Sequence, residues 1–483
     1  MTGQASAEAQ ALAECLPLVR AERRWHLIDV LAVKSGLAIA SWAFLSGGVT
    51  AELLGLWDGL AVMLLGNAIG VVLLTYAYML PSVKWGTEFY AHMKSVFGAR
   101  GVMVLVVGPL LLGAAGWGTI LATMIGRAAV QMAELVGGGA VPGGPAAFSA
   151  AVALAALLCS WLVLRRGSSG VRLLNLAAAP MLIALCLFLL WAVFRGHSLA
   201  EVAALPPVHP RGDRATNIML ALELNVCVGL SWGNLAGNLG RYAVTARAAV
   251  WGSFIAYVPV NVLAAMVGLV AGLTLGSADP AAWMVPMFVP VLAALLLVVL
   301  SLANFSSLVG MMQGNTQSLI QHLGLLRLGW GRFVALLCVI FGVLVLVAGD
   351  EMQARFFTFA AFLQAVVAPL VGVVLADCWL LRRQRVDVAA MYVAPGTGPY
   401  GYWWGFNPAA LIALIAGGVT YLSLFDPIAL TGTPLFVVTG ATLPAVVVAM
   451  AVHWGLTRAF VIPAGRGGYD AHTATVGSGQ PSR

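Results

Sequence analysis

Two apolar stretches of this sequence, each long enough to cross a bilayer, are interrupted by small residues: Gly36-Leu37-Ala38-Ile39-Ala40-Ser41-Trp42 and Gly229-Leu230-Ser231-Trp232-Gly233. Hydrocarbon offers no partner for a free backbone N–H or C=O, so a spanning helix breaks only where it is buried in protein or lines a cavity. Similar apolar stretches recur at about 26–48, 56–79, 101–126, 147–164, 171–194, 216–239, 249–275, 284–316, 329–349, 355–381, 405–425 and 432–456. A span needs about 20 residues. With 61% hydrophobic and 9% charged residues, against about 25% charged in soluble chains, the expected fold is all-α integral membrane, with twelve transmembrane helices.

The charges orient those spans. With the N-terminus cytoplasmic, only Arg127, Arg195, Arg211, Arg214 and Arg355 fall outside, and Lys34 lies within the first span. The other nineteen of the 25 Lys and Arg residues, among them Lys84, Arg165, Arg241, Arg332 and Arg382, fall on the cytoplasmic side. That bias places both termini in the cytoplasm and requires an even number of spans. The expected setting is a cell membrane crossed many times. The net charge of +7 is then topological, and nucleic acid is not implied as a partner. Residues 1–24 are polar and end on Arg20, Arg23 and Arg24; no apolar run precedes them, so no cleavable signal peptide is expected.

The organisation that follows is a cytoplasmic segment over 1–25, a transporter domain over 26–462, and a Gly/Ser/Thr-rich tail over 463–483 expected to be disordered. Within the domain, 26–194 and 216–381 form two sets of five spans, each beginning with an interrupted one, and 405–456 adds two more. Five is odd, so the sets enter from opposite faces, as an inverted repeat requires. Residues 82–100, after Pro81, read as an amphipathic helix on the cytoplasmic surface with Trp85, Phe89 and Phe97 toward lipid headgroups. Pro206, Pro207 and Pro210 mark an external loop.

Paired breaks at matching positions in two halves point to a solute site. In the sixth span Gly229, Gly233 and Gly237 lie four apart, which suits close packing on a neighbour. Asn225, Ser231, Trp232, Asn234 and Asn238 share the same stretch, and an unwound backbone there would offer its dipoles to a polar ligand. In the third span Trp117 stands among Gly113, Ala114, Ala115, Gly116 and Gly118. Together Trp117 and Trp232 suggest a slot between two aromatic planes, where stacking adds roughly 0.5–1.5 kcal/mol per ring contact. Such a slot prefers planar heterocycles. The eighth span carries Asn304, Ser306, Ser307, Gln313 and Asn315, which either bind neighbouring helices or line the cavity.

Two charges lie deep in apolar sequence, Lys34 just before the first break and Glu223 six residues before Gly229. An ion at mid-membrane costs about 2.5–3.5 kcal/mol on insertion scales, so each needs a partner or a role. Either they pair with each other, or one changes protonation during transport, with the Lys34 ammonium standing in for a metal cation. Asp29 and Asp377 are expected to pair with Arg24 or Arg382. The six cysteines show no CxxC, the seven histidines no HxxxH, and no GxxxxGK[ST] is present, so zinc, enzymatic and ATP-driven readings lack support. No cofactor is expected beyond a coupling H+ or Na+. The expected partners are a small-molecule substrate and the lipid bilayer, with no obligate protein partner.

The stretch Leu375-Ala376-Asp377-Cys378-Trp379-Leu380-Leu381-Arg382-Arg383, followed by Gly405-Phe406-Asn407-Pro408-Ala409-Ala410, resembles the nucleobase–cation symporter family, first branch. Glu22-Arg23 with Trp25, Gly86…Phe97-Gly98-Ala99-Arg100-Gly101, and Trp232…Arg241-Tyr242 agree with it, and the resemblance covers residues 20–425. It implies a LeuT-type bundle, alternating access, and a nucleobase, hydantoin, allantoin or related vitamin precursor held between Trp117 and Trp232. The family's polar residues fall on Ala40 in the first break and Leu121 after Trp117, so the pocket is less polar here. Asn304 matches one of two family asparagines, and in one register Leu302 and Ala303 replace the sodium-binding hydroxyls. Gly36, Ile39, Ser306 and Ser307 are the remaining candidates around a cation. The resulting expectation is sodium-independent, proton-coupled transport with Lys34 or Glu223 as the titrating group; an amino-acid or amine carrier of the same architecture is the alternative.

Overall fold

The computed structural model describes residues 2–469 apart from 138, 140, 278 and 279. Helix α1 (Thr2–Cys15) precedes the first span, which is two helices, α2 (Leu27–Ala38) and α3 (Ser41–Leu53), meeting at 60°. There follow α4 (Leu56–Trp85), α5 (Phe89–Phe97), α6 (Ala99–Val136), α7 (Pro145–Leu164) and α8 (Ser168–Phe194). The second set is α9 (Arg214–Leu230) with α10 (Gly233–Gly240), α11 (Ala246–Leu275), α12 (Pro290–His322), α13 (Trp330–Ala354) and α14 (Phe356–Leu381). The shorter α15 (Pro408–Leu424) and then α16 (Thr442–Val461) complete the bundle. Among the described residues ten helices are long and apolar enough to cross a membrane, or eleven with the bent α2–α3 pair. Leu158 on α7, Leu187 on α8, Val347 on α13 and Ile415 on α15 are exposed, a surface suited to acyl chains.

Small residues bring the two sets together reciprocally: α3 lies on α11 and α4 on α9. A Cβ on Gly47 would lie 1.7 Å from Ala265 O, and one on Gly268 1.9 Å from Phe44 O. Gly70 and Gly229 meet similarly, each backbone within 3.0 Å of a Cβ built on the other. Without a hydrophobic force between helices in lipid, such close approach and interhelical hydrogen bonds supply the association. The bonds are present. Asn225 donates to Thr50 Oγ1 (3.4 Å), Asn67 to Asn225 Oδ1 (3.3 Å) and Asn261 to Asn67 Oδ1 (3.1 Å), joining α3, α4, α9 and α11. Gly229 therefore serves packing.

Several expectations change. The second break is milder than the first: Ser231 and Trp232 keep right-handed helical angles, Gly233 departs at φ +35° and the helical ladder is interrupted between Ser231 and Ala236, while α9 and α10 together make one span. α5 does not rest on lipid headgroups; Phe89 and Phe97 are buried, and Trp85 stacks on His92 at 4.7 Å. Asp29 pairs with Arg172 (2.6 Å) and accepts from His26 N, rather than pairing with Arg24. Residues 463–469 of the expected loose tail pack: Gly467 O accepts from Arg382 (2.8 Å) and the Tyr469 hydroxyl donates to Asp377 (2.5 Å). The remainder, 470–483, lies outside the described residues.

The Asp377–Arg382 pair (2.6 Å) is buried, with His453 3.4 Å from Asp377, and Arg382 also donates to Ser95 O of α5 (2.6 Å). It fastens α5, α14, α16 and the segment after α16 at one end of the bundle. Removing one partner of a buried pair strands the other charge, which costs roughly 3–5 kcal/mol. Arg382→Ala is therefore expected to lower the thermal unfolding temperature in detergent well below wild type, with Arg382→Lys in between.

Candidate functional site

The first break is held open by a neighbour. α2 closes with Ile39 N–H on Ser35 O (3.0 Å), Ala40 is extended (φ −154°, ψ 171°), and the ladder restarts with Ala43 N–H on Ala40 O (2.9 Å). Groups freed between these points are met by α12. Asn304 Oδ1 accepts from Ser41 N–H (2.8 Å) and its amide donates to Ser41 Oγ (2.9 Å). Ser306 Oγ donates to Gly36 O (2.6 Å) and Ser307 Oγ to Leu37 O (3.1 Å). All three side chains are buried. Gly36 and Leu37 are thus brought together with Ser306 and Ser307. Asn304 spends its amide on the break and does not line the cavity described below.

The aromatic residues form a chain, not a slot. Trp42, at the first turn of α3, stands edge-on to both Trp117 (5.9 Å, 79°) and Trp232 (5.3 Å, 66°). Trp232 in turn stacks flat on Tyr257 (4.1 Å, 6°). The expected gap between Trp117 and Trp232 is occupied by Trp42, because the extended Ala40 turns the next helix inward. Sequence reasoning quoted Trp42 but gave it no role; its place two residues beyond the break was the available signal.

Lys34 is fully buried, donates to Ala236 O of α10 (3.2 Å) and lies 5.0 Å from the Tyr257 ring centre. Glu223 is elsewhere. Its carboxylate accepts from Ala441 N (3.0 Å), Thr442 N (3.0 Å) and Thr442 Oγ1 (2.5 Å), capping the start of α16, where a helix favours negative charge. The expected Lys34–Glu223 ion pair does not form. Ala40 and Leu121 are buried without lining the cavity below.

That cavity, of about 60 Å³, lies against Trp117 and Ser231 and is walled by Tyr78, Phe89, Tyr90, Gly233, Asn234, Met311 and Asn315, among others. Across the milder second break Ser231 N–H bonds Cys227 O (2.9 Å), and the next helical bond over it is Ala236 N–H to Trp232 O (3.3 Å). Asn234 donates to Asn315 Oδ1 (3.1 Å), placing two amides together at the wall. The Trp117 indole N–H and the Tyr78 hydroxyl are buried with no protein partner. Buried polar atoms are normally paired, so unpartnered ones at a cavity mark groups a ligand can satisfy. A second cavity, about 430 Å³, reaches Ser41 from among Arg127, Glu134 and Asp350.

A broken span braced by a facing helix, together with a polar-edged cavity in an all-α membrane bundle, defines a multi-pass transporter. The chain belongs to the family described as permease for cytosine/purines, uracil, thiamine, allantoin, whose model matches residues 17–447. It is 23% identical to the purine-uracil permease NCS1 of Arabidopsis thaliana, over 83% of this chain and 69% of that one. It is 24% identical to the hydantoin permease of Microbacterium maritypicum (84% and 83%) and 26% to the cytosine permease of Escherichia coli O157:H7 (83% and 91%). These relatives are permeases, not enzymes. The fold matches that of Mhp1, a nucleobase-cation-symport-1 family transporter solved in a closed conformation with bromovinylhydantoin bound, at a TM-score of 0.77 and 18% identity, covering 92% and 95% of the two chains. Inward-facing Mhp1 gives 0.72 and 19%, covering 93% and 94%. The fold is thus LeuT-like, as expected.

Because Asn304 satisfies the backbone of the break, Asn304→Ala leaves a buried donor at Ser41 unmet, at about 1–3 kcal/mol. Thermal unfolding in detergent is expected to show that loss in Asn304→Ala, and a smaller one in Ser307→Ala.

Proposed function

We propose that this permease carries a small planar nitrogen heterocycle, such as a nucleobase, hydantoin, allantoin or related vitamin precursor, by alternating access. The observation that carries the reading is the cavity lined by Trp117, Tyr78, Asn234 and Asn315, in which the two amides bond each other and the indole N–H and tyrosine hydroxyl of the lining residues have no protein partner. A flat ring with donors and acceptors along its edge suits an aromatic wall and amide groups together. Relatives named for purine, uracil, cytosine and hydantoin support the same class. An amino-acid or amine substrate gains no such support from these relatives. In its present state the cavity is narrow, so loading requires the wall to move. Both termini are assigned to the cytoplasm on the distribution of Lys and Arg.

Coupling is assigned to protons, with Lys34 as the titrating group. Its ammonium joins α2 to α10 through Ala236 O, so loss of its proton would release a link between the two sets of spans. It also places a positive charge on the helix whose carbonyls at Gly36 and Leu37 face the Ser306 and Ser307 hydroxyls. Those oxygens favour a second reading, since oxygen ligands suit a hard cation; Na+ would take their place as co-substrate. Glu223, engaged in a cap, is not assigned a coupling role.

Purified protein screened by thermal shift against nucleobases, hydantoins, thiamine precursors and amino acids identifies the ligand, because binding raises stability as RT ln(1 + [L]/Kd). Trp117→Ala is expected to weaken binding of that ligand at least tenfold, about 1.4 kcal/mol. In proteoliposomes an inward proton gradient is expected to drive uptake without sodium, and Lys34→Ala to remove the proton response. Stabilisation by amino acids alone overturns the heterocycle reading. Uptake that needs sodium equally in wild type and Lys34→Ala overturns the coupling assignment.

A further inference from the structure

One buried carboxylate–imidazole pair near the cavity has no part in the reading above. Glu88 and His322 meet at 2.8 Å between Oε1 and Nε2, with side chains 0% and 2% exposed. Glu88 precedes α5, the short helix between two spans, and caps it: Tyr90 N–H (2.9 Å) and Ala91 N–H both donate to the carboxylate. Ser318 Oγ on α12 donates to Oε2 (2.6 Å), and His322 ends the same helix. Asn238 of α10 closes the ring, accepting from Phe89 N–H (2.7 Å) and donating to Ser318 Oγ (2.9 Å) and Gly314 O (2.7 Å). Tyr90, held by Glu88, and Phe89, held by Asn238, form part of the cavity wall. Tyr90 also sets its ring edge-on to His322 at 6.3 Å.

We propose that Glu88 and His322 form a proton-dependent latch that holds the Phe89–Tyr90 wall of the cavity against α12. While the pair keeps its proton, carboxylate faces imidazolium and the wall is tied to α12 by a charge-assisted hydrogen bond. When the proton leaves Nε2 for water, a buried carboxylate remains with only neutral donors, a state that burial disfavours. Swinging α5 outward rehydrates it and opens the cavity on that side. The latch is thus shut at low pH and loosens as pH rises.

The surrounding groups leave His322 as the switching member. Burial raises the Glu88 carboxyl, but the facing His322 charge and the bonds from His322, Ser318 and Tyr90 N–H outweigh it and hold Glu88 below the ordinary range, so it stays ionised. His92 on α5 is pushed down to about 4 by burial, hence neutral. Lys94 on α5 lies over the Tyr392 ring at 5.5 Å, and Cys15 of α1 and Tyr392 face Glu88 uncharged. Asp377 and Arg382 neutralise each other beyond His92. A proton site at the cavity wall rests on the permease reading, yet it is separate from Lys34.

Hydrogen–deuterium exchange of the full chain in lipid nanodiscs, corrected for intrinsic rates, tests the latch directly at residues 89–97. Wild type is expected to lose at least tenfold in protection of that segment between pH 6 and pH 8.5. His322→Gln is expected to be loose at both pH values, and Glu88→Gln to show no pH step. Ser318→Ala, which keeps the charged pair, is expected to retain the step, and so guards against general loosening. A wild-type profile with no step, or a step that persists in His322→Gln, overturns the proposal. Proteoliposome uptake of the ligand from the thermal-shift screen is expected to show a flattened pH profile in Glu88→Gln and His322→Gln. If wild type binds no heterocycle the permease reading falls, while the exchange result still decides the latch.

Discussion

The structure depends on one requirement: backbone groups exposed by breaking a helix inside a bilayer must find partners within the protein. At Gly36–Ser41 those partners are the Asn304, Ser306 and Ser307 side chains of α12. Each bond is short range and buried, so the break and α12 are a single mechanical unit. In water the same carbonyls would be solvated and the three polar residues would have little reason to sit on a spanning helix. Their presence ties the first set of spans to the second, beside a cavity that reaches Ser41.

Glycines decide how closely that unit is packed. At Gly47, Gly268, Gly70 and Gly229 backbones approach too near for any side chain, and the Thr50–Asn225–Asn67–Asn261 chain of hydrogen bonds runs alongside. Dispersion and polar glue replace the hydrophobic effect as the source of helix association. The first and second breaks then differ for a physical reason. The first has α12 side chains to receive its loose ends, so it bends by 60°; at the second Gly233 leaves helical angles and the two helices remain one span.

Polar residues at the ends of the bundle do different work from those in the middle. Glu223 fixes the start of α16 and Asp377 gathers Arg382, His453 and Tyr469. Glu88 gathers α5, α12 and, through Asn238, α10. The first two join elements into a frame. The third grips part of a cavity wall and pairs with the His322 imidazole. Lys34 stands apart, held by a single carbonyl and a ring face, a loose setting compatible with a group that gains and loses a proton.

What the sequence determined was whatever depends on composition along one helix. Length and hydropathy set the membrane class, and the motif around Asp377 pointed to the permease family. Small residues marked the first break, and the family resemblance grouped Gly36, Ser306 and Ser307 as candidates around a cation. What only the tertiary structure decided is where side chains from different helices meet. Trp42 fills the gap assigned to Trp117 and Trp232 because the angle between α2 and α3 aims it there, and no periodicity encodes that angle. Glu223 and Lys34 are both deep in apolar sequence, yet they face different neighbours, since depth along a helix says nothing about azimuth around it. The amphipathic look of α5 was equally ambiguous: an apolar face can meet lipid or protein, and the chain's other helices settle which.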